Sequence, residues 1–372
     1  MMISRFVLAV VLAVVMFVCG TSAYLYLGSK QSKAAVPAQK PTAATPRAQA
    51  LSLPGTLYLA QSGALYSLSA GRFHQLTPEA GWTMPALYPD GSKLVAVKAT
   101  RSYSDVYVLN RFGTVQRQVT NNAARPRFDI SDNHWSFYPR LSADGGTLWM
   151  AYDQPKYGYD AIFSIWSMPF GGTVRQGKLW TNANDYTGGD VQPVPVPGGL
   201  IYTKYDYGPD IKLVGQLWFT NRAGSAGKAL TSPAEDCHSP ALSPDGTQLA
   251  MICTYEKQIS YLTIATWNGS SLGGRKTVVS NLLVAQPTWA PDGSGIAFLA
   301  PAVGAGEFQL WWLPKAAYVP PPPSPPPPPT PGGPHNGPLA SPSPPPPVPP
   351  VKPVQVTTNN GFDATSPLAW LG

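Results

Sequence analysis

At 372 residues, with 44% hydrophobic and 12% charged side chains, the chain is too apolar to be disordered throughout; it is long enough for one large all-β domain or two ordinary ones. Its formal charge of +7 is concentrated at the N-terminus: five of the 26 basic groups lie in residues 1–54, which hold no acid, leaving 21 against 19 acids elsewhere. A remainder so close to neutral excludes the electrostatic footprint of a nucleic-acid binder.

Residues 1–28 read as a membrane anchor or signal segment, a hydrophobic helix with its apolar run from Phe6 to Leu27 behind Arg5. Thr21, Ser22 and Ala23 offer small residues for signal cleavage, but the run continues past them through Tyr24–Leu27, which favours an uncleaved anchor. The expected location is the cell membrane, single-pass with the bulk of the chain outside the cytoplasm, or the exported (periplasmic) compartment if the segment is cut. Lys30 and Lys33 on the outer side run against the positive-inside bias. Residues 29–54, rich in Ala, Pro, Gln, Thr and Lys, form a flexible linker.

From residue 55 one motif recurs. Proline precedes a short strand at Pro85, Pro139, Pro193, Pro240, Pro287 and Pro367, at intervals of 54, 54, 47, 47 and 80, and at all but the last a Pro-Asp-Gly-like reversal follows. The turn is written Pro89-Asp90-Gly91, Ala143-Asp144-Gly145, Pro244-Asp245-Gly246 and Pro291-Asp292-Gly293, and loses its Asp at Pro197-Gly198-Gly199. Each turn is followed by an apolar strand such as Leu94–Val97 or Leu249–Ile252, then a third strand such as Val106–Leu109, then a fourth ending at Thr120, Thr181, Thr231 or Thr357. Four antiparallel strands per unit at this spacing make propeller blades. Residues 56–77 supply strands two to four with no first strand, and Pro367–Gly372 supply a first strand with nothing after it, so the two termini complete one blade. The expected fold is all-β: a six-bladed β-propeller of four-stranded antiparallel blades over residues 55–372, closed by a composite N-/C-terminal blade. Residues 318–353, dominated by Pro-Pro runs, are an insertion within one blade that cannot join a sheet; its deletion is expected to leave the fold intact.

Ser239–Gly246 and Gln286–Gly293 resemble the repeats of the TolB-like six-bladed propellers (WD40-like, PD40 repeat), over roughly residues 55–372. The resemblance implies an extracytoplasmic binding scaffold, and no motif here matches a partner-binding segment of that family.

Cys237 and Cys253 each lie eight residues from Asp245, so a symmetric hairpin sets them opposite one another, and in an oxidising compartment they are expected to form a disulfide. The four His, at 74, 134, 238 and 335, lack metal-ligand spacing, and no metal or cofactor is implied. Gly269-Ser270-Ser271-Leu272-Gly273 matches a nucleophile elbow in letters only, because it links two strands. Candidate ligand-binding residues lie in the fourth-to-first and second-to-third strand connections: Trp82, Asp132, His134, Trp135, Tyr157, Tyr159, Tyr205, Tyr207 and Tyr255. Aromatics beside acids suit a peptide or glycan. Two function classes follow: a membrane-anchored scaffold binding an envelope protein or glycan, with the Pro-rich insertion as a further contact for a partner or cell wall; or a lyase or hydrolase at the channel mouth, using Asp132, His134 and neighbouring carboxylates. The second requires His134 to converge with two carboxylates or a metal.

Overall fold

A computed structural model describes residues 53–372, apart from 126–128, 157, 159, 184–186, 209–210, 256–258, 303–305, 320–350 and 359. The apolar segment at residues 1–28, the linker to residue 52 and most of the Pro-rich insertion lie outside these residues. Among the described residues no helix is long and apolar enough to cross a membrane.

The strands form six four-stranded antiparallel sheets. The first blade is composite: β1 (Thr56–Gln61), β2 (Ala64–Ser69) and β3 (Arg72–Gln75) are completed by β24 (Ala369–Leu371), which pairs with β1 through Thr56–Leu371, Leu57–Trp370 and Tyr58–Ala369. The Trp370 indole donates to Pro54 O at 2.7 Å, fastening the seam from the other side of the chain. Blades two to five run β4 (Trp82–Leu87) to β7 (Val115–Gln118), β8 (Ser136–Leu141) to β11 (Lys178–Leu179), β12 (Asp190–Val196) to β15 (Lys228–Ala229) and β16 (Cys237–Leu242) to β19 (Leu272–Val279). In the sixth, β20 (Ala285–Trp289), β21 (Gly295–Pro301) and β22 (Phe308–Pro314) are joined by β23 (Val354–Gln355), so residues 320–350 leave and rejoin the chain between a third and a fourth strand.

Period-two alternation decides where the core lies. Along β17 (Gln248–Cys253), Leu249 and Met251 face the fourth blade while Ala250 and Ile252 face the sixth. Along β9 (Thr147–Tyr152), Leu148 and Met150 face the second blade while Trp149 and Ala151 face the fourth. The second strand of a blade is thus buried on both faces, which is why it reads as an unbroken apolar run, and the apolar clusters sit between neighbouring blades.

Two devices recur around the ring, the first in four blades and the second in five. At the innermost hairpin the amide of Gly91, Gly145, Gly246 or Gly293 donates to the carbonyl three residues back, with that glycine at φ of 68°–71°. Pro-Asp-Gly is therefore a β-turn closed by a left-handed residue, inside a four-residue connection whose flanking bond runs from the Tyr88 amide to Lys93 O and from its equivalents in the other blades. At the outer edge the threonine ending the fourth strand accepts a third-strand amide: Leu65 to Thr77, Val106 to Thr120, Ile165 to Thr181, Leu217 to Thr231 and Leu310 to Thr357, all at 2.9–3.0 Å. That hydroxyl replaces the ladder bond lost where the strand stops.

A third device is not legible in the repeat. The residue before the inner-strand proline, Met84, Tyr138, Gln192, Ser239 or Gln286, lies at φ of 48°–54°, and each inner strand slips register there. In the fifth blade Leu242 pairs with Leu249 and Ala241 with Ala250; beyond the slip, Cys237 pairs with Cys253 rather than with the next residue. The sulfurs of Cys237 and Cys253 are bonded at 2.09 Å. A symmetric count about Asp245 reaches the same pair, but the bulge at Ser239-Pro240 is what makes them opposite.

Candidate functional site

The fourth-to-first and second-to-third strand connections bring two groups of side chains to one end of the ring. The first centres on Asp153, which follows β9 and is 0% exposed. One carboxylate oxygen lies 3.0 Å from His134 Nδ1 and accepts the Trp135 amide at 2.9 Å; the other lies 2.7 Å from Lys156 Nζ. A carboxylate buried there is tolerable because a cation and two further donors meet it. His134 thus meets one carboxylate, and it is Asp153 rather than Asp132, which is exposed in a 3-10 turn spanning Ile130–Asp132. Among the described residues no group of three or more His, Cys, Asp or Glu is placed to hold a metal ion.

The second group surrounds a cavity of about 460 Å³ at the channel mouth, walled by Met84, Phe137, Tyr138, Phe163, Tyr205 and Leu213. Met84 and Tyr138 are bulge residues, so the left-handed backbone before each proline sets the direction in which they leave the strand. Phe163 is held close by Gly189, at φ of 80°: a Cβ there would sit 2.2 Å from the Phe163 carbonyl oxygen, which instead accepts the Asp190 amide at 2.8 Å. Burial pushes the Tyr205 hydroxyl up, and it pushes Tyr138 up to about 12, so both phenols stay neutral at physiological pH. Trp135 stacks on Phe137 with centroids 5.8 Å apart and planes 20° from parallel, and lines a smaller recess with Arg101 and Lys156. The stacked pair is the wall between an apolar cavity and a basic recess.

The sequence-based candidates divide accordingly. Trp135 and Tyr205 line these cavities, and His134 stands beside them through Asp153. Trp82 does not: it is 4% exposed and packed edge-on against Tyr107 at 5.3 Å between the first and second blades, where it presents little surface to a ligand. Tyr255 is half-buried against Tyr261 at 5.5 Å, in the apolar cluster around the disulfide. Tyr207 is exposed at the end of β13 (Gly199–Tyr207), and Tyr157 and Tyr159 lie outside the described residues. Asp105 is structural: buried, it accepts from Thr120, Gln118 and the Asn122 amide, while desolvation raises its pKa above the usual carboxylate value. The Gly269–Gly273 stretch lies at the hairpin between β18 (Tyr261–Trp267) and β19, where Asn268 holds Ser271, so Ser271 has no elbow geometry. Phe137, Tyr138, Phe163, Asp153 and Lys156 were missed. The one available signal was position: Met84 and Tyr138 each precede an inner-strand proline.

No family model matches the chain, and no curated protein matches it. Solved structures do. TolB from Acinetobacter baumannii superposes with a TM-score of 0.52 at 17% identity, covering 69% of this chain and 60% of that one. A TolB-type protein from Agrobacterium tumefaciens gives 0.51 at 15% identity, with 71% and 86% covered. The GH74 enzyme of Niastella koreensis gives 0.50 at 12% identity, with 70% and 43% covered. The chain thus spans less than two thirds of two of these proteins, and at such identities the likeness shows architecture alone. Blade number, strand order, composite seam and these superpositions agree: the chain folds as a TolB-like six-bladed β-propeller.

Proposed function

We propose that the protein is a membrane-anchored, extracytoplasmic interaction scaffold that receives a protein or glycan partner of the cell envelope at the channel mouth. The carrying observation is the apolar cavity of about 460 Å³ ringed by Phe137, Tyr138, Phe163 and Tyr205 on the face that gathers the variable loops. Aromatic rings around a concave opening supply large contact area at small entropic cost, the composition of interface anchors. TolB-like architecture supports a scaffold in general. Support for the compartment comes from the Cys237–Cys253 bridge, because disulfides persist in oxidising compartments, and from the apolar run at Phe6–Leu27.

The test is site-specific photo-crosslinking in intact cells, with the reactive residue at Phe163 and, as control, at Asp245 on the opposite end of the ring. A partner should be captured from position 163 and not from 245, and Leu213→Trp, which fills the cavity, should abolish capture. Equal labelling from both positions, or none from 163, overturns the reading. The enzyme class lacks its required second carboxylate at His134 among the described residues, so no observation favours it.

A further inference from the structure

We infer that Arg140 makes the central channel an oxyanion-binding site, below the mouth cavity and distinct from it. The residue after the inner-strand proline recurs in all six blades as Ala86, Arg140, Val194, Ala241, Thr288 and Leu368, and all six line one channel cavity of about 270 Å³. Five of these positions are aliphatic or a small hydroxyl, which is what packing around a narrow axis asks for. The sixth is a guanidinium.

Among the described residues, nothing in the channel wall neutralises it. The described residues lining this cavity include no Asp or Glu, and Arg140 takes part in none of the ion pairs found among the described residues. Among the described residues its one hydrogen bond runs from Nη1 to the Pro139 carbonyl at 3.2 Å, which leaves the rest of its planar fork open. The neighbouring amides are occupied: Gln192 Nε2 donates to Ser239 Oγ, and Gln286 Nε2 to Ala364 O. Desolvation draws the guanidinium down to about 10, with only the Tyr138 phenol opposing, so it remains a cation at neutral pH. A half-buried cation with no acidic partner among the described residues presents a planar fork of donors that matches a carboxylate or a tetrahedral oxyanion.

The depth is set by the strands. Met84 and Tyr138 line the mouth cavity, and two residues further along the same strands Ala86 and Arg140 line the channel; Thr365 and Pro367, just ahead of β24, repeat the step. The occupant is therefore an oxyanion group, either a small free ion or the carboxylate of an organic ligand whose apolar part lies toward the mouth.

The full chain, purified in detergent, is titrated calorimetrically with sulfate at ionic strength held constant by chloride, and separately with N-acetylphenylalanine and its amide. Saturable binding of sulfate identifies a free ion. Binding of N-acetylphenylalanine without sulfate or amide binding identifies a carried carboxylate. Either is expected to be lost in Arg140→Gln and weakened roughly tenfold or more in Arg140→Lys, which keeps the charge without the fork. Selenate-soaked crystals of the unaltered protein should show an anomalous peak within hydrogen-bond reach of the Arg140 guanidinium, a readout that needs no variant to fold. Absence of saturable binding by either probe, equal binding by Arg140→Gln, or selenate density only outside the channel overturns the site. Failure of the mouth crosslinking leaves this inference standing, because the two cavities are separate.

Discussion

Removing the Cys237–Cys253 bridge should destabilise the propeller by an amount that follows from its place in the fold. The two residues are 16 apart, and returning the freedom of a loop that size to the unfolded chain costs about 3 kcal/mol on the chain-entropy account. Both are almost fully buried, at 0% and 1% exposure, so Cys237→Ala/Cys253→Ala adds two small voids worth on the order of 1 kcal/mol. The β16–β17 ladder is untouched, so the ring still closes. Unfolding entropy near 2.1 cal/mol/K per residue makes each kcal/mol worth about 1.5 °C in a domain this size, so the double variant should melt about 5–6 °C lower. Near-UV circular dichroism during heating measures this. Wild type refolded in reductant should lose most of the same amount, and the variant should be indifferent to reductant. A variant melting together with oxidised wild type would refute the argument.

Further outcomes follow from other contacts. Thr231→Val keeps the shape but removes the acceptor of the Leu217 amide at 2.9 Å, in a buried strand; denaturant unfolding should show a loss of about 1–3 kcal/mol, and an unchanged midpoint would show the hydroxyl to be dispensable. Desolvation holds the His238 pKa below its ordinary 6.5, partly opposed by Asp236. The folded state therefore binds that proton less readily than the unfolded chain, and its contribution, fully present above pH 6.5, is lost as pH falls from there through the depressed value. His238→Gln should lack this loss, and parallel stability curves for the two proteins between pH 7.5 and 5 would contradict it. Glu235, lowered by its Ser232 and Arg275 hydrogen bonds despite burial, acts in a lower window, losing its contribution only below about pH 4.5. Trp370→Ala should loosen the seam by removing the bond to Pro54 O and the packing on Trp312, and hydrogen exchange should rise first in β1 and β24; protection lost uniformly around the ring would count against a local seam.

What the sequence by itself determined was the ring. Turn chemistry is local: Pro-Asp-Gly closes its own hairpin whatever surrounds it, so its repetition marked the repeat, the six inner-strand prolines counted the blades, and the unmatched strands at Thr56 and Ala369 located the seam. The terminal threonines were visible as strand ends, and the structure adds their role as substitutes for a missing ladder bond. The Cys pair was legible too, though the count that reached it omitted the bulge.

The site was decided only by tertiary structure. A residue before proline is biased toward extended backbone, yet Met84, Tyr138, Gln192, Ser239 and Gln286 take positive φ because the sheet must turn at the channel, and no dipeptide signals that. Trp82 and Trp135 look alike as aromatics in loops; blade packing buries the first and leaves the second at the mouth. His134 finds Asp153 rather than its sequence neighbour Asp132 because an antiparallel pair brings the end of β9 beside the start of β8. Arg140 is one of six equivalent repeat positions, and its isolation as a cation exists only once the six strands close around one axis.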